Sequence, residues 1–186
     1  MGHLIAPCVV VQLHADAGSV GTTAIDKRPV DYAVKVGRLG LYADVQADRK
    51  NHGGEEKAVY AYAAEDADWW AQQLGRDIPP GLFGENLRVE GIDASTPQIG
   101  ERWRIGTGED AVVLEVTYPR TPCMTFARWM GEDDNGWVRR FSDARRLGTY
   151  LRVVKTGTVK AGDPIEVEAA PVGSPTILDN YRLPSD

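Results

Sequence analysis

The chain has 186 residues and a mass of 20.3 kDa, with 42% hydrophobic and 26% charged residues. This composition excludes disordered and collagen-like chains, and the length fits one globular domain. The net charge of −6 is opposite in sign to that of proteins that bind nucleic acid through basic side chains. We therefore expect no nucleic-acid partner.

The N-terminal apolar stretch Leu4–Leu13 is the longest in the chain, but Pro7 and Gln12 interrupt it. It is also shorter than the roughly 20 residues that a membrane-spanning helix needs. No basic segment precedes it and no small-residue cleavage site follows it, as would be expected of a secretory signal. We therefore expect a cytoplasmic protein without a membrane partner.

Short runs rich in Val, Ile, Tyr and Thr recur between Gly, Pro and Asp residues, a pattern typical of many short strands. In chain order these runs are Val9–Leu13, Val30–Val36, Ala58–Ala61, Leu87–Val89, Trp103–Ile105, Val112–Tyr118, Tyr150–Val154 and Ile165–Val167. Helical spacing is found in Glu65–Leu74, which precedes Gly75, and shorter helices are predicted for Met124–Met130 and Gly136–Phe141. Because many short strands must protect their edges, we predict a mainly β fold with a few short helices, built as a closed or nearly closed β-barrel.

No repeat and no linker divides the chain. We expect one domain over residues 1–168, followed by a proline-rich C-terminal arm over residues 169–186 that contains Pro171, Pro175 and Pro184. Such an arm packs on the domain or on a partner subunit, and the second arrangement predicts a homodimer.

Gly106, Gly108 and Ala111 match the spacing of a dinucleotide-binding motif. The β-branched run that begins at Val112 follows them, however, where the motif requires a helix whose N-terminus binds phosphate. We predict a hairpin turn here and no dinucleotide site.

The polar segment Asp44–Lys57 precedes a predicted strand and is the first candidate binding site. Gly53 and Gly54 allow successive backbone N–H groups to point at an anion, and Lys57 adds a positive charge. A surface turn is the alternative for the segment. For His52, the alternative to a catalytic role is a surface or hydrogen-bonded core residue.

The segment Gly81–Leu87 is a second candidate site, since it carries two glycines, a carboxylate and a carboxamide just before a strand. The side chain of Asn86 can both donate to and accept from a planar heterocycle. A turn without a ligand is the alternative.

Cys123 carries the sharpest chemical signal. It follows Pro122 at the start of a predicted helix, and Arg120 lies three residues before it. A helix N-terminus and a nearby cation both lower the pKa of a thiol, so we expect a thiolate at neutral pH, with an incidental or buried cysteine as the alternative. Cys8 lies in an apolar stretch, where a buried small hydrophobe is expected.

Two cysteines are too few for an ordinary all-cysteine iron–sulfur cluster, so any electron donor must be a separate protein.

Several segments, taken together and in order, resemble the MOSC (molybdenum cofactor sulfurase C-terminal) domain family, and its bacterial YiiM-like branch most of all. The likeness covers about residues 5–168. The segments are Thr22–Val30, Gln46–Asp48 with His52–Gly54, Phe83–Leu87, Pro119–Arg120 with Pro122–Cys123, and Gly148–Val153.

The resemblance implies a barrel-like fold that binds the molybdenum cofactor (molybdopterin), with Cys123 as the protein ligand to molybdenum. A soft thiolate suits such a metal. His52 and Asp48 are then expected to stabilise or protonate the oxygen that leaves the substrate. The residues expected to bind the phosphate and heteroatoms of the cofactor are Lys27, Arg28, Gly53, Gly54, Lys57, Asn86 and Arg120.

The activity implied is reduction of N-hydroxylated small molecules, such as hydroxylaminopurine bases or amidoximes, by cleavage of the N–O bond. This would be a detoxification reaction, with electrons from a separate reductase. Two alternatives remain open: a sulfur carrier in which Cys123 holds a persulfide, and a non-catalytic protein that binds or delivers the cofactor.

The chain departs from the family pattern at two places. Ala43 precedes Asp44 where the family usually has Gly-Asp, and 18 residues follow position 168 where YiiM-like proteins often continue into a helical bundle. We therefore expect the substrate pocket or the donor interface to differ from theirs.

Overall fold

The structure is a computed structural model that describes residues 1–47, 53–131, 136–179 and 181–182. In these ranges the helices are α1 (Ala64–Leu74), α2 (Met124–Trp129) and α3 (Gly136–Asp143), with a short 3-10 helix at Glu55–Lys57. The strands are β1 (Gly2–Val10), β2 (His14–Ala15), β3 (Thr22–Thr23), β4 (Lys27–Pro29), β5 (Val34–Gly37), β6 (Gly40–Leu41), β7 (Val59–Ala63), β8 (Leu87–Glu90), β9 (Arg102–Ile105), β10 (Val112–Pro119), β11 (Thr149–Lys155), β12 (Gly157–Val159) and β13 (Pro164–Glu168).

Seven strands close into a barrel in the order β13-β9-β10-β11-β7-β8-β1, and β1 returns to β13. Neighbouring strands are antiparallel except β7 and β8, which are parallel. The long strand β1 pairs with β13 near its start, with β8 through its middle and with β4 at its end. The predicted β-barrel with a few short helices is confirmed.

Strand β7 separates two hydrophobic cores, because alternate side chains of a strand point to opposite faces. Val59 and Ala61 belong to the core inside the barrel, whereas Tyr60 and Tyr62 pack in a second core against the helices. The second core is aromatic, with Phe83, Phe126, Trp137 and Phe141 in mutual edge and tilted ring contacts. This second core lies beneath the candidate site described below.

The first strand begins and ends earlier than the sequence indicated, at Gly2–Val10 in place of Val9–Leu13. Its pairing register with β8 shifts between Leu4 and Ala6, just before Pro7. Proline lacks a backbone donor and is tolerated in a strand at such an irregularity. The single strand predicted for Val30–Val36 was also wrong, because β4 ends before it and β5 begins within it.

Other local predictions are confirmed. Gly75 follows the last residue of helix α1, and its left-handed backbone and N–H cap the last turn. Gly106 and Gly108 both have positive φ between the antiparallel strands β9 and β10. The glycine motif is therefore a hairpin turn.

The C-terminal arm contacts the barrel. Gln98 and Thr176 form an isolated β-bridge, Ile177 is fully buried, and the hydroxyls of Tyr181 and Ser142 lie 2.7 Å apart. The boundary at residue 168 and the homodimer stay predictions. Among the described helices, none combines the length and the apolar character that crossing a membrane requires.

Candidate functional site

A cleft of about 360 Å³ opens where the β2–β3 turn, the loop after β6, the loop before β8 and the start of α2 meet. Its lining residues come from the stretches 16–27, 44–47, 57–60, 83–86 and 120–128, and from Tyr150. The cleft brings together five of the residues predicted from the sequence, namely Lys27, Lys57, Asn86, Arg120 and Cys123.

The two thiols lie in different environments. Cys123 is half-buried, lines the cleft and immediately precedes helix α2 in an extended conformation. Cys8 is fully buried in β1, and this burial raises the pKa of its thiol well above the ordinary range. Neither cysteine forms a disulfide. Cys123 is therefore the thiol open to an incoming group, and Cys8 is the buried small side chain that the sequence predicted.

Arg120 places a buried positive charge beside this thiol. Its guanidinium lies 3.7 Å from the centroid of the Phe126 ring, and its Nη1 donates to the carbonyl oxygen of Phe83 at 2.7 Å. No carboxylate of the described residues lies within ion-pair distance of it. Burial opposes the charge, but nearby Tyr60 and Cys123 help to raise the pKa of Arg120, so the group stays cationic. The described part of the cleft thus holds a cation that suits an anionic ligand.

Lys27 and Asn86 converge on a carboxylate that the sequence analysis did not single out. Asp44 Oδ2 accepts hydrogen bonds from Lys27 Nζ and from Asn86 Nδ2, the latter at 2.7 Å, and its Oδ1 accepts from the Val10 backbone at 3.1 Å. Asn86 Oδ1 in turn accepts from the Tyr60 backbone at 3.1 Å. These contacts fix the wall of the cleft, and binding of the cofactor by Lys27 and Asn86 stays a prediction.

Lys57 lies at the cleft between two aromatic rings. Its Nζ is 5.7 Å from the ring centroids of both Tyr118 and Tyr150, a distance at which a cation is attracted by the ring face. The lysine is the last residue of the short 3-10 helix. Because Tyr118 lies on β10 and Tyr150 on β11, this strand pair positions its ammonium group.

The turn between β2 and β3 forms another wall, and it too was missed. Asp16 accepts hydrogen bonds from Thr125 and Arg128 of helix α2, and all three line the cleft. No short-range pattern signals this contact, because the partners lie more than a hundred residues apart along the chain.

Of the other predicted residues that the structure describes, Arg28, Gly53 and Gly54 are not among those that line the cleft. Arg28 is largely exposed and lies 3.6 Å from an Asp26 carboxylate oxygen. Gly53 and Gly54 precede the 3-10 helix, where Gly54 donates to Gln46. Asp48 and His52 lie outside the described residues. The roles of all these residues stay predictions.

The side chains that line the cleft determine which kind of metal-containing group can bind there. Among the described residues no group of three His, Cys, Asp or Glu side chains is placed to hold a metal ion. The described part of the cleft thus offers Cys123 as a thiol donor without a protein cluster around it. The molybdenum cofactor that the resemblance implies would bring its own sulfur donors and an anionic phosphate, and the thiol of Cys123 and the cation of Arg120 match these parts in their chemistry.

Sequence comparisons relate this chain to proteins of one family. The profile of the MOSC domain matches residues 48–166. The uncharacterized protein YflK of Bacillus subtilis is 37% identical over 145 residues, and YiiM of Escherichia coli is 30% identical over 149. Each alignment covers 78% of this chain and 63% of the relative. A protein of Gibberella moniliformis named "Reductase" is 30% identical over 194 residues, which cover 95% of this chain and 32% of that protein.

Solved structures agree in fold. YiiM of Geobacillus stearothermophilus has a TM-score of 0.74 at 26% identity, covering 95% of this chain and 80% of that one. YiiM of Escherichia coli has a TM-score of 0.66 at 24% identity, covering 95% and 74%, and shows the fold alone. This chain spans about 63% of the length of its two bacterial sequence relatives. With a family profile over most of its length and the same barrel, the chain belongs to the MOSC domain family.

Proposed function

We propose that this chain is a molybdenum-cofactor-dependent oxidoreductase that reduces N-hydroxylated small molecules. The observation that carries the proposal is the half-buried Cys123 thiol, which shares a cleft with the buried Arg120 cation. Membership of the MOSC family, and a homologue named reductase, support the same reaction class.

Three side chains fit the parts of the cofactor. Cys123 offers a soft sulfur ligand for molybdenum, as thiol-rich metal centres require. Arg120 and Lys57 offer positive charge for a phosphate, and Arg120 has no carboxylate partner among the described residues to neutralise it. A bound anion would relieve the electrostatic cost of burying that guanidinium.

The reaction takes an N-hydroxylated amine, two electrons and two protons to the amine and water. The bound cofactor supplies the two-electron redox chemistry. Cys123 would hold the group in the cleft, and Arg120 and Lys57 would offer positive charge to its phosphate. His52 and Asp48 remain the proposed proton donors, and a separate reductase remains the proposed source of electrons, since two cysteines hold no ordinary iron–sulfur cluster.

The test compares Cys123→Ala with Cys8→Ala, a matched removal of the other thiol. Both variants and the parent chain are expressed in a host that makes the cofactor, and molybdenum content and amidoxime reduction with a chemical electron donor are measured. We expect Cys123→Ala to lose both the metal and the activity, while Cys8→Ala keeps both. A Cys123→Ala protein that retained molybdenum and activity would refute the assignment.

Intact mass distinguishes the other functions. An added mass of one sulfur atom on Cys123, with no molybdenum in the protein, would favour a persulfide carrier over the reductase. A native mass that includes the cofactor, with no turnover of any N-hydroxylated substrate, would favour a binding or delivery protein.

A further inference from the structure

The turn between β2 and β3 is held in place by contacts outside its own hairpin. Gly18, Ser19 and Val20 of this turn line the same cleft as Cys123. The two strands, however, pair at only two positions, and a two-stranded hairpin of that length is not stable by itself. The position of this wall of the cleft therefore depends on what the turn binds.

The His14 ring packs on Trp129 of helix α2, and Asp16 makes the hydrogen bonds to the same helix. Its carboxylate accepts from Thr125 Oγ1 at 2.8 Å, from Arg128 Nε at 3.0 Å and from Arg128 Nη2 at 2.8 and 2.9 Å. It also accepts from the Gly18 backbone at 2.9 Å, within the turn. The side chain is 9% exposed, and although burial opposes ionisation, the hydrogen bonds from Thr125 and Arg128 hold the pKa of Asp16 below its usual value. The carboxylate is thus an ionised link between the turn and helix α2.

The helix that Asp16 binds is the one that follows Cys123. Helix α2 has six residues and no side-chain cap at its start, and a helix this short is not stable without tertiary contacts. Phe126 and Ala127 bury one side of it in the aromatic core. Thr125 and Arg128 lie on the side that lines the cleft, where Asp16 binds them. One carboxylate therefore joins the turn to the helix that follows Cys123.

Gly18 permits this close approach. A Cβ atom at Gly18 would lie 2.7 Å from Asp16 Oδ2, which is closer than real contacts allow, and 3.6 Å from Thr125 Oγ1. The turn is therefore packed tightly onto the carboxylate and its helix partners.

We propose that Asp16 is a positioning residue for Cys123: it holds the turn 16–21 against helix α2 and so keeps this wall of the cleft in place beside the half-buried sulfur. Without it, the turn moves away from α2 more often, and the half-buried sulfur becomes more exposed to reagents in solution. The importance of Asp16 for the reaction rests on the proposed function of Cys123 as the metal ligand. The contact between the turn and helix α2 is tested without the cofactor.

The test measures alkylation rates of both cysteines by iodoacetamide in metal-free protein, using mass spectrometry of peptides. We expect Asp16→Asn to increase the rate at Cys123 by about tenfold, because loss of one charge-assisted link shifts a local equilibrium by at least that factor. The rate at Cys8, sealed inside β1, stays unchanged and reports on global unfolding. As a control, Asp179→Asn removes a carboxylate bound to Thr176 in the arm and leaves both rates unchanged.

A second variant separates positioning from general destabilisation. Arg128→Met gives the same increase at Cys123, and Asp16→Asn combined with Arg128→Met gives no more than either alone, because the two side chains form one link. An unchanged rate at Cys123, a parallel increase at Cys8, or additive effects would each overturn the proposal. A Cys123→Ala protein that kept molybdenum would refute the proposed function but would leave these rates as they are.

Discussion

The buried ion pair of Glu85 and Arg88 stabilises the loop 78–86, which supports the candidate site. Glu85 is fully buried and accepts from the backbone of Gly81 at 2.8 Å and of Phe83 at 3.1 Å. Arg88 is 3% exposed, donates Nε to Glu85 at 2.9 Å, and donates Nη1 to the Ile78 carbonyl oxygen at 3.1 Å. The pair therefore holds the loop 78–86 closed from within.

Glu85→Gln keeps the size of the side chain and removes its charge. It leaves the Arg88 guanidinium buried without a counter-ion, and breaking one partner of such a pair costs about 3–5 kcal/mol in the free energy of unfolding. For a chain of this size each kcal/mol corresponds to about 2–4 °C in Tm, so we expect a decrease of roughly 10 °C. The same loop carries the Phe83 carbonyl that binds Arg120, so loosening it also disturbs the cleft.

Urea and thermal unfolding followed by circular dichroism measure this effect. The matched control is Glu55→Gln, which breaks the exposed pair with Arg38, whose side chains are 57% and 76% exposed, and which should cost less than about 1 kcal/mol. Adding Arg88→Met to Glu85→Gln should recover part of the loss, because the unpaired charge is removed as well. If Glu85→Gln costs no more than Glu55→Gln, the buried pair does not hold the loop as argued.

Three further predictions concern other parts of the fold. The pKa of Asp16 is held below its ordinary value of 3.8, because hydrogen bonds outweigh the opposing burial. Its stabilisation is therefore complete above that value and is lost as the pH falls through the folded pKa, so Asp16→Asn should narrow the difference in unfolding free energy between pH 7 and pH 3. Gly40→Ala should destabilise the protein far more than Gly108→Ala in urea unfolding: both have positive φ, but a Cβ at Gly40 would lie 2.2 Å from a carbonyl oxygen, while Gly108 has open space. Equal costs would contradict the clash. Tyr181→Phe should cost about 1 kcal/mol and increase protease cleavage in the C-terminal arm, because its hydroxyl lies 2.7 Å from that of Ser142. Unchanged cleavage would show that other contacts hold the arm.

Local sequence signals predicted most of the barrel. Strands such as β9 and β13 match β-branched and aromatic runs between turn residues, and α1 has helical spacing with a glycine at its end. The first strand was predicted poorly, since Pro7 lies within it and only the register shift beside it makes that proline acceptable. That shift depends on pairing with β8, which no local pattern reveals.

The candidate site, like the fold, could be predicted from the sequence only in part. The pairing of Arg120 with Cys123 in one cleft follows from their closeness in sequence, and the structure brings both to its wall. The partners of Lys27 and Asn86 were not predictable, because Asp44 reaches them through the tertiary fold. The same holds for Asp16, whose partners belong to a distant helix. Ion pairs between residues that are distant in sequence cannot be predicted from the spacing of residues along the chain.

Closure of the barrel joins β1 to β13, two strands far apart in the sequence, through the pairs Gly2–Ile165 and His3–Pro164. During synthesis on the ribosome, β1 emerges well before β13, so this edge stays uncovered until β13 has been made. Folds with such distant pairings form slowly, and an uncovered edge is open to association with other nascent chains. Production of this protein should therefore depend on chaperones and on growth temperature more strongly than its final stability suggests.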